Sequence, residues 1–377
     1  MRKEYLDNDR RSHSRSYSIG QELKTTHQAL RQEIPELARV SIALFDPAYS
    51  ELRTFVHSTI EGSPLVRYRA PISPSTSLGR LVCQQKSRVE NDIASNITGN
   101  SPHSTWLLEQ GYAASLTLPI LDQNQFTGLL FFDVNKPQFF DALTVDELTL
   151  RTQEITALVN EQSTLIQAAE EMAHSVRTTS LVGERDNIEH AYRVGQYAHI
   201  IADHIAPLYQ LDDETIDHIV RFACLHDIGK YSTLSSKQCS LWLQDWDNAT
   251  LIAGRVQQGV NLINQLARQV SERQYACTHL LGDIIRYHHE YLNGTGYPFG
   301  LKHAQIPIAA RIVTVANIFD ALTSHRHYSE SWSLTHALLE LEKMVAQGQL
   351  DGNCVHPLRC HQNKVKNIML TNAHFAS

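Results

Sequence analysis

The sequence predicts an α+β first half followed by an all-helical second half, with a long helix joining the two. Three observations carry this reading. Apolar or alternating runs at residues 40–45, 52–57, 115–121 and 128–133 are separated by Gly, Pro, Asn and Ser, the pattern of strands and turns. Amphipathic stretches at residues 21–33 and 145–167 frame those strands, so helices flank an antiparallel sheet. From residue 187 onward strand signals vanish and apolar residues recur at helical spacing.

At 377 residues the chain is long for one domain, and the expected division is a tail over 1–19, a first domain over 20–165, a connector over 166–186 and a helical domain over 187–377. Residues 160–179 contain neither Pro nor Gly, which suits a continuous connector helix. Apolar and charged fractions of 42% and 19% fit an ordinary globular chain. A formal net charge of -7 argues against a nucleic-acid polymer as partner and confines any phosphate site to a local basic pocket.

Six scattered cysteines lack the spacing of a disulfide framework, and no run reaches the roughly 18 apolar residues of a membrane span; the expectation is a cytoplasmic protein. Arg10, Arg11 and Arg15 among serines read as a solvated terminus. Cys354, His356, Cys360 and His361 match no common zinc-finger spacing and receive no assignment here.

The helical half is expected to form helices over 191–205, 214–226, 250–270, 280–289 and 308–322. Ile216, Ile219, Val220 and Ala223 form one stripe, and continuing its period brings His226 and Asp227 onto or beside the inward face, with Gly229 ending the helix. Leu281, Ile284 and Ile285 lead in the same way to His288 and His289, followed by Gly294 and Gly296. Buried imidazoles and a carboxylate are costly unless paired or metal-bound, so a metal site is the economical explanation. A His-Asp dipeptide alone is weak in a chain with 20 histidines; His190 and the two pairs together are specific.

In the first half, Arg39-Val-Ser-Ile-Ala-Leu-Phe-Asp46, Gly111-Tyr-Ala-Ala-Ser-Leu-Thr-Leu-Pro119 and Phe126-Thr-Gly-Leu-Leu-Phe-Phe132 resemble a GAF domain. That resemblance implies a sensory module that binds an unidentified small molecule or forms a homodimer; His103, Trp106 and Tyr112 are candidates to line a pocket, with ordinary packing the plainer alternative.

In the second half, Leu225-His-Asp-Ile-Gly-Lys230, His288-His-Glu-Tyr-Leu-Asn-Gly-Thr-Gly-Tyr-Pro298, Ile306-Pro-Ile-Ala-Ala-Arg311 and Asp320-Ala-Leu-Thr-Ser324 resemble the HD-GYP family of HD phosphohydrolases. The resemblance implies hydrolysis of cyclic di-GMP to a linear dinucleotide or GMP, with two or three iron or manganese ions held by His190, His226, Asp227, His288 and His289. Asp227 would bridge two of them, and Asp186 would supply a third-metal carboxylate or a helix cap. Lys230, Arg311 and Arg326 would contact phosphates, and Gly296, Tyr297 and Pro298 would shape the rim and a docking surface for a partner such as a diguanylate cyclase.

Two positions depart from that family's pattern. Arg255, four residues before Gly259, stands where a histidine ligand is usual, and Asn317 where an aspartate is usual. A guanidinium cannot ligate a cation and an amide offers only a neutral carbonyl. Metal affinity is therefore expected to fall, and two readings follow: a weakened enzyme, or a receptor that binds the nucleotide or a protein without turnover. The unusual segment over 231–253 leaves the register of Arg255 open.

Overall fold

The computed structural model describes residues 16–47, 49–178, 184–231, 249–324 and 331–370. The arginine-rich terminus and Arg326 lie outside them, as do residues 179–183 of the expected connector; of Asp186 only the helical backbone is described. Contacts divide the chain into two compact units, one of them Tyr17–Ser163 with Asp212–Glu214.

In that unit, helix α1 (Ile19–Glu33) is followed by β1 (Leu37–Asp46), β2 (Glu51–Thr59), β3 (Arg69–Pro71), α2 (Ser77–Gln84), β4 (Arg88–Glu90), α3 (Ile93–Asn96), α4 (Pro102–Glu109), β5 (Ala114–Asp122), β6 (Gln125–Val134) and α5 (Ala142–Arg151). The strands form one six-stranded antiparallel sheet in the order β3-β2-β1-β6-β5-β4. The central strands include all four sequence-predicted runs, each extended by a few residues. Val40, Ile42 and Leu44 of β1 are buried, and so are their neighbours Ser41 and Ala43, so both faces of this strand are covered. The three-residue edge strands β3 and β4 carry no readable period and were not foreseen.

Helix α1 packs on β1 and β2 through Ile19, Leu23, His27 and Leu30, a stripe at helical spacing that includes one imidazole. His27 is fully buried; its Nδ1 lies 2.8 Å from Ser58 Oγ and its Nε2 3.1 Å from the Leu37 carbonyl oxygen. Burial holds its pKa below the ordinary value of 6.5, against the bond to Leu37 and with help from Arg31. An unfolded chain therefore binds a proton at His27 that the folded domain refuses, so this contribution is present above pH 6.5 and is lost as pH falls below it. Chemical denaturation at pH 7 and pH 5 is expected to show a loss of stability that shrinks in His27→Gln, which keeps a polar side chain that does not titrate.

Helix α6 (Gln153–Thr178) takes in residues 166–178 of the expected connector and lacks Pro and Gly throughout. The helical unit contains α7 (Glu184–Tyr209), α8 (Asp213–Ala223), α9 (Ile228–Tyr231), α10 (Ala249–Val270), α11 (Ala276–Tyr287), α12 (Ile308–Thr323), α13 (Leu334–Ala346), α14 (Gly352–Cys360) and α15 (Gln362–Leu370). Helices α7 and α12 pack together, with Tyr197 edge-on to Phe319 at 4.9 Å and both rings fully buried. Helix α8 stops at Ala223, earlier than the stripe predicts, and His226-Asp227 lie in the turn leading to α9. Helix α11 likewise ends at Tyr287, leaving His288 as its cap.

Candidate metal centre

Short turns after two buried helix stripes deliver the site. His226 and His288 are almost fully buried, and each turns one ring nitrogen toward a backbone carbonyl at the end of its own helix. His226 Nδ1 lies 2.7 Å from the Ala223 oxygen and His288 Nδ1 lies 2.9 Å from the Ile284 oxygen. A carbonyl only accepts, so Nδ1 carries the proton in both rings and Nε2 presents a lone pair. Both Nε2 atoms are buried without a hydrogen-bond partner.

The two lone pairs flank one carboxylate. His226 Nε2 is 3.7 Å from Asp227 Oδ2, and His288 Nε2 is 3.7 Å from Asp227 Oδ1. Ligand atoms of His190, His226 and Asp227 fall within 4.8 Å of one another, as do those of Asp227, His288 and His289. Asp227 is thus shared by two triads. Burial pushes the His226 pKa down to about 3, despite Asp227 and with further lowering from His288 and His190. His289 is lowered by burial and His288. Burial alone would raise Asp227, but the positive charge of Lys230 holds it well below the usual carboxylate range. Neutral imidazoles around an ionised carboxylate are the protonation states that divalent cations require.

Helix α12 supports this group from the other side. Thr314 Oγ1 donates to the His288 carbonyl oxygen at 2.9 Å, and Asp320 Oδ2 lies 2.7 Å from His190 Nδ1. Asn317 is one turn from each and shares their face, between the two contacts. Asp320 also receives Arg193 Nε at 2.6 Å and Nη2 at 3.1 Å, and its side chain is 1% exposed. Burial opposes ionisation there, but the bonds from His190 and Arg193 hold the Asp320 carboxyl below its usual range. Asp320 therefore orients His190 and leaves Nε2 as the ring's outward donor, the arrangement typical of metal-ligating histidines. Asp320→Ala is expected to cost about 3–5 kcal/mol in chemical denaturation by stripping Arg193 of its two-point partner. The milder Asp320→Asn is expected to weaken metal binding roughly 10- to 100-fold by calorimetric titration.

Arg255 enters the same cavity. A space of about 100 Å³ is lined by His226, Asp227, Lys230, Arg255, His288 and His289, with Tyr297 at its edge. The register left open by sequence is fixed by close packing: a Cβ on Gly229 would meet the Arg255 carbonyl oxygen at 2.0 Å, and Gly259 packs against the Gly229 backbone. Only glycine lets α9 approach α10 this closely, and that approach presents Arg255 to the site.

The glycine-rich loop is tied to the centre by Glu290, whose carboxylate accepts backbone N–H bonds from Phe299, Gly300 and Leu301 at 2.6, 3.1 and 2.9 Å. Gly296 lies against the Glu290–Tyr291 backbone, where a Cβ would meet the Tyr291 nitrogen at 2.2 Å. Tyr297 donates its N–H to the His289 carbonyl and its ring stands 4.8 Å from the His289 ring; the Tyr297–Pro298 bond is cis. Sequence reasoning quoted Glu290 and Asp320 within motifs but gave neither a role. It missed Arg193 too, although its spacing of three from His190 is the signal that places both on one face.

Other expected site residues are placed differently. Lys230 Nζ lies 3.8 Å from Asp227 Oδ2, at the cavity wall. Arg311, expected to hold phosphate, is not among the residues of this cavity: its guanidinium donates to the carbonyls of Ile306 and His303 and pairs with Asp351 at 3.2 Å. Those bonds make it a brace between α12 and the start of α14. In the first domain, His103 lines a cavity of about 30 Å³, room for a water or two rather than an organic ligand. Trp106 and Tyr112 do not line that cavity; they pack with Ala38, Ile93 and Leu107, and Tyr112 donates its hydroxyl to the Glu61 carbonyl at 2.7 Å.

The chain is 28% identical over 194 residues to a 3'3'-cGAMP-specific phosphodiesterase of Vibrio cholerae, covering 51% of this chain and 34% of that protein. It is 31% identical over 176 residues to a cyclic di-GMP phosphodiesterase of Pseudomonas aeruginosa, covering 45% and 39% respectively. A cyclic di-GMP phosphodiesterase response regulator of Xanthomonas campestris is 32% identical over 167 residues, covering 44% and 41%. This chain thus spans well under two thirds of each relative. Among solved structures, the phycocyanobilin-bound GAF domain of a cyanobacterial phytochrome matches with a TM-score of 0.32 and 17% identity, over 42% of this chain and 91% of that one. The HD domain family matches residues 223–354, the stretch that holds His226, Asp227, His288 and His289.

Proposed function

We propose that this protein hydrolyses a cyclic dinucleotide, cyclic di-GMP, with the help of two divalent ions of the iron or manganese class, and that Arg255 and Asn317 weaken the reaction. The observation that carries the proposal is the pair of buried, unpartnered Nε2 atoms of His226 and His288 on either side of the Asp227 carboxylate. Lone pairs left unsatisfied in this way are costly unless a cation meets them. The donor set fits: His190, His226 and Asp227 would hold one ion, and Asp227, His288 and His289 the other. Asp186 would complete a third position or cap its helix.

When bound, such ions supply Lewis acidity and an activated water for attack on phosphorus. The chain's residues do the rest. Lys230 carries positive charge at the cavity wall, where a phosphodiester oxygen would lie. Asp320 fixes the His190 ring, and the loop held by Glu290 sets Tyr297 at the rim. Hydrolysis forms one P–O bond from water and breaks the bond to a ribose oxygen, which takes the proton. The product is a linear dinucleotide, which a second hydrolysis takes on to GMP. The first domain would act as the regulatory input, through an unidentified ligand or self-association, and the glycine-rich loop would dock a partner such as a diguanylate cyclase.

Arg255 in the cavity favours one rival, a receptor that grips phosphate with cations and performs no chemistry. Elemental analysis of the purified protein with an anaerobic turnover assay in ferrous or manganese buffer separates the two. Bound transition metal with slow linear-dinucleotide release is the expected result. Nucleotide binding with neither metal nor turnover would overturn the enzyme reading and leave the receptor.

A further inference from the structure

A second group of soft donors lies on the surface of the helical unit, on residues the centre at Asp227 does not use. Helix α14 carries His356 and Cys360 four residues apart, hence on one face, and the Cys360 Sγ stands 3.1 Å from His356 Nε2. Helix α7 brings His204 beside them, its ring 5.7 Å from that of His356. Ligand atoms of His204, His356 and Cys360 lie within 4.8 Å of one another, and all three side chains are exposed. His361 Nε2 is 3.1 Å from His204 Nδ1 but lies outside the group whose ligand atoms fall within 4.8 Å of one another. Sequence spacing hid this group: Cys354, which looked like a member, is fully buried, and the residue that replaces it comes from a helix about 150 positions away.

From this arrangement we infer that His204, His356 and Cys360 form a binding site for a zinc-class divalent cation, with its fourth position open to solvent and separate from the centre at Asp227. Two imidazoles and a thiol are donor types that tetrahedral zinc prefers, whereas a carboxylate-centred set suits harder ions. The spacing agrees: donors around a tetrahedral zinc are about 3.3–3.6 Å apart, given bond lengths of about 2.0–2.3 Å. The His356–Cys360 contact at 3.1 Å needs to open by only a few tenths of an ångström, and the His204 ring must close on that pair from within 4.8 Å. His204 is also disposed to stay neutral, since partial burial and then the neighbouring His361 and His356 lower its pKa. A bound ion would cross-link α7, which carries His190 nearer its start, to α14.

The test is a cobalt titration of the metal-stripped, reduced full-length protein, followed optically. Cobalt held by a thiolate shows an intense near-ultraviolet sulfur-to-metal charge-transfer band, which the cysteine-free donor set around Asp227 cannot produce. The expected result is a saturable band that stoichiometric zinc removes. Cys360→Ser should abolish it, His204→Ala and His356→Ala should weaken cobalt binding at least tenfold, and Asp227→Ala should leave it intact. The side chains of His204, His356 and Cys360 are all exposed, so these variants should keep the native far-ultraviolet circular dichroism. Absence of the band, or a band that persists in Cys360→Ser, would overturn the inference whatever the HD centre does.

Discussion

Asp227→Ala is expected to reduce cyclic di-GMP turnover to background, a loss on the order of a thousandfold or more, and to remove the ability to hold iron or manganese at this site. The reason is geometric. Asp227 faces His226 through one oxygen and His288 through the other, each at 3.7 Å, so deleting it takes the shared anion from both triads at once. Folding should survive, since the side chain is 25% exposed and sits in a turn rather than in a helix stripe. The variant's unchanged chemical denaturation midpoint, measured without metal, checks that point. Loss of metal with an unaltered midpoint assigns the effect to the site.

The reverse change is expected to be as large. Arg255→His with Asn317→Asp removes one positive charge from the cavity and adds one negative charge on the α12 face between His190 and His288. Two units of charge move in the cation's favour, and two strong donors are added to five. Disturbing only the groups that support metal ligands changes affinity roughly 10- to 100-fold, so restoring ligands themselves should exceed that range. Isothermal titration with manganese and steady-state turnover of the double variant read the gain; an unchanged affinity would mean that neither side chain reaches the ions.

Much of this centre was legible in the sequence, for a physical reason. Amphipathic periodicity identifies which face of a helix is buried, and polar residues that interrupt a buried stripe stand out, as His226, Asp227, His288 and His289 do. Helix ends were less legible: α8 stops at Ala223 because the chain turns there to bring α9 onto α10 through Gly229, a tertiary contact with no local signature. The short edge strands at Arg69–Pro71 and Arg88–Glu90 are defined by their neighbours in the sheet rather than by their own pattern. Carbonyl anchoring of the two buried imidazoles, and the bond from Asp320 to His190 across 130 positions, exist only once the helices have packed. Arg311 shows the converse: a motif residue whose position suggested phosphate is occupied in holding Asp351 and two carbonyls.

The central claim is that Asp227 is shared by two cations. Anomalous diffraction from crystals grown in excess manganese, recorded on either side of the manganese edge, tests it most directly. The account predicts two peaks about 3.5–4 Å apart, one beside His190 and His226 and one beside His288 and His289, with Asp227 between them. A map with no manganese at Asp227, and the Arg255 guanidinium lying where an ion should be, would contradict it.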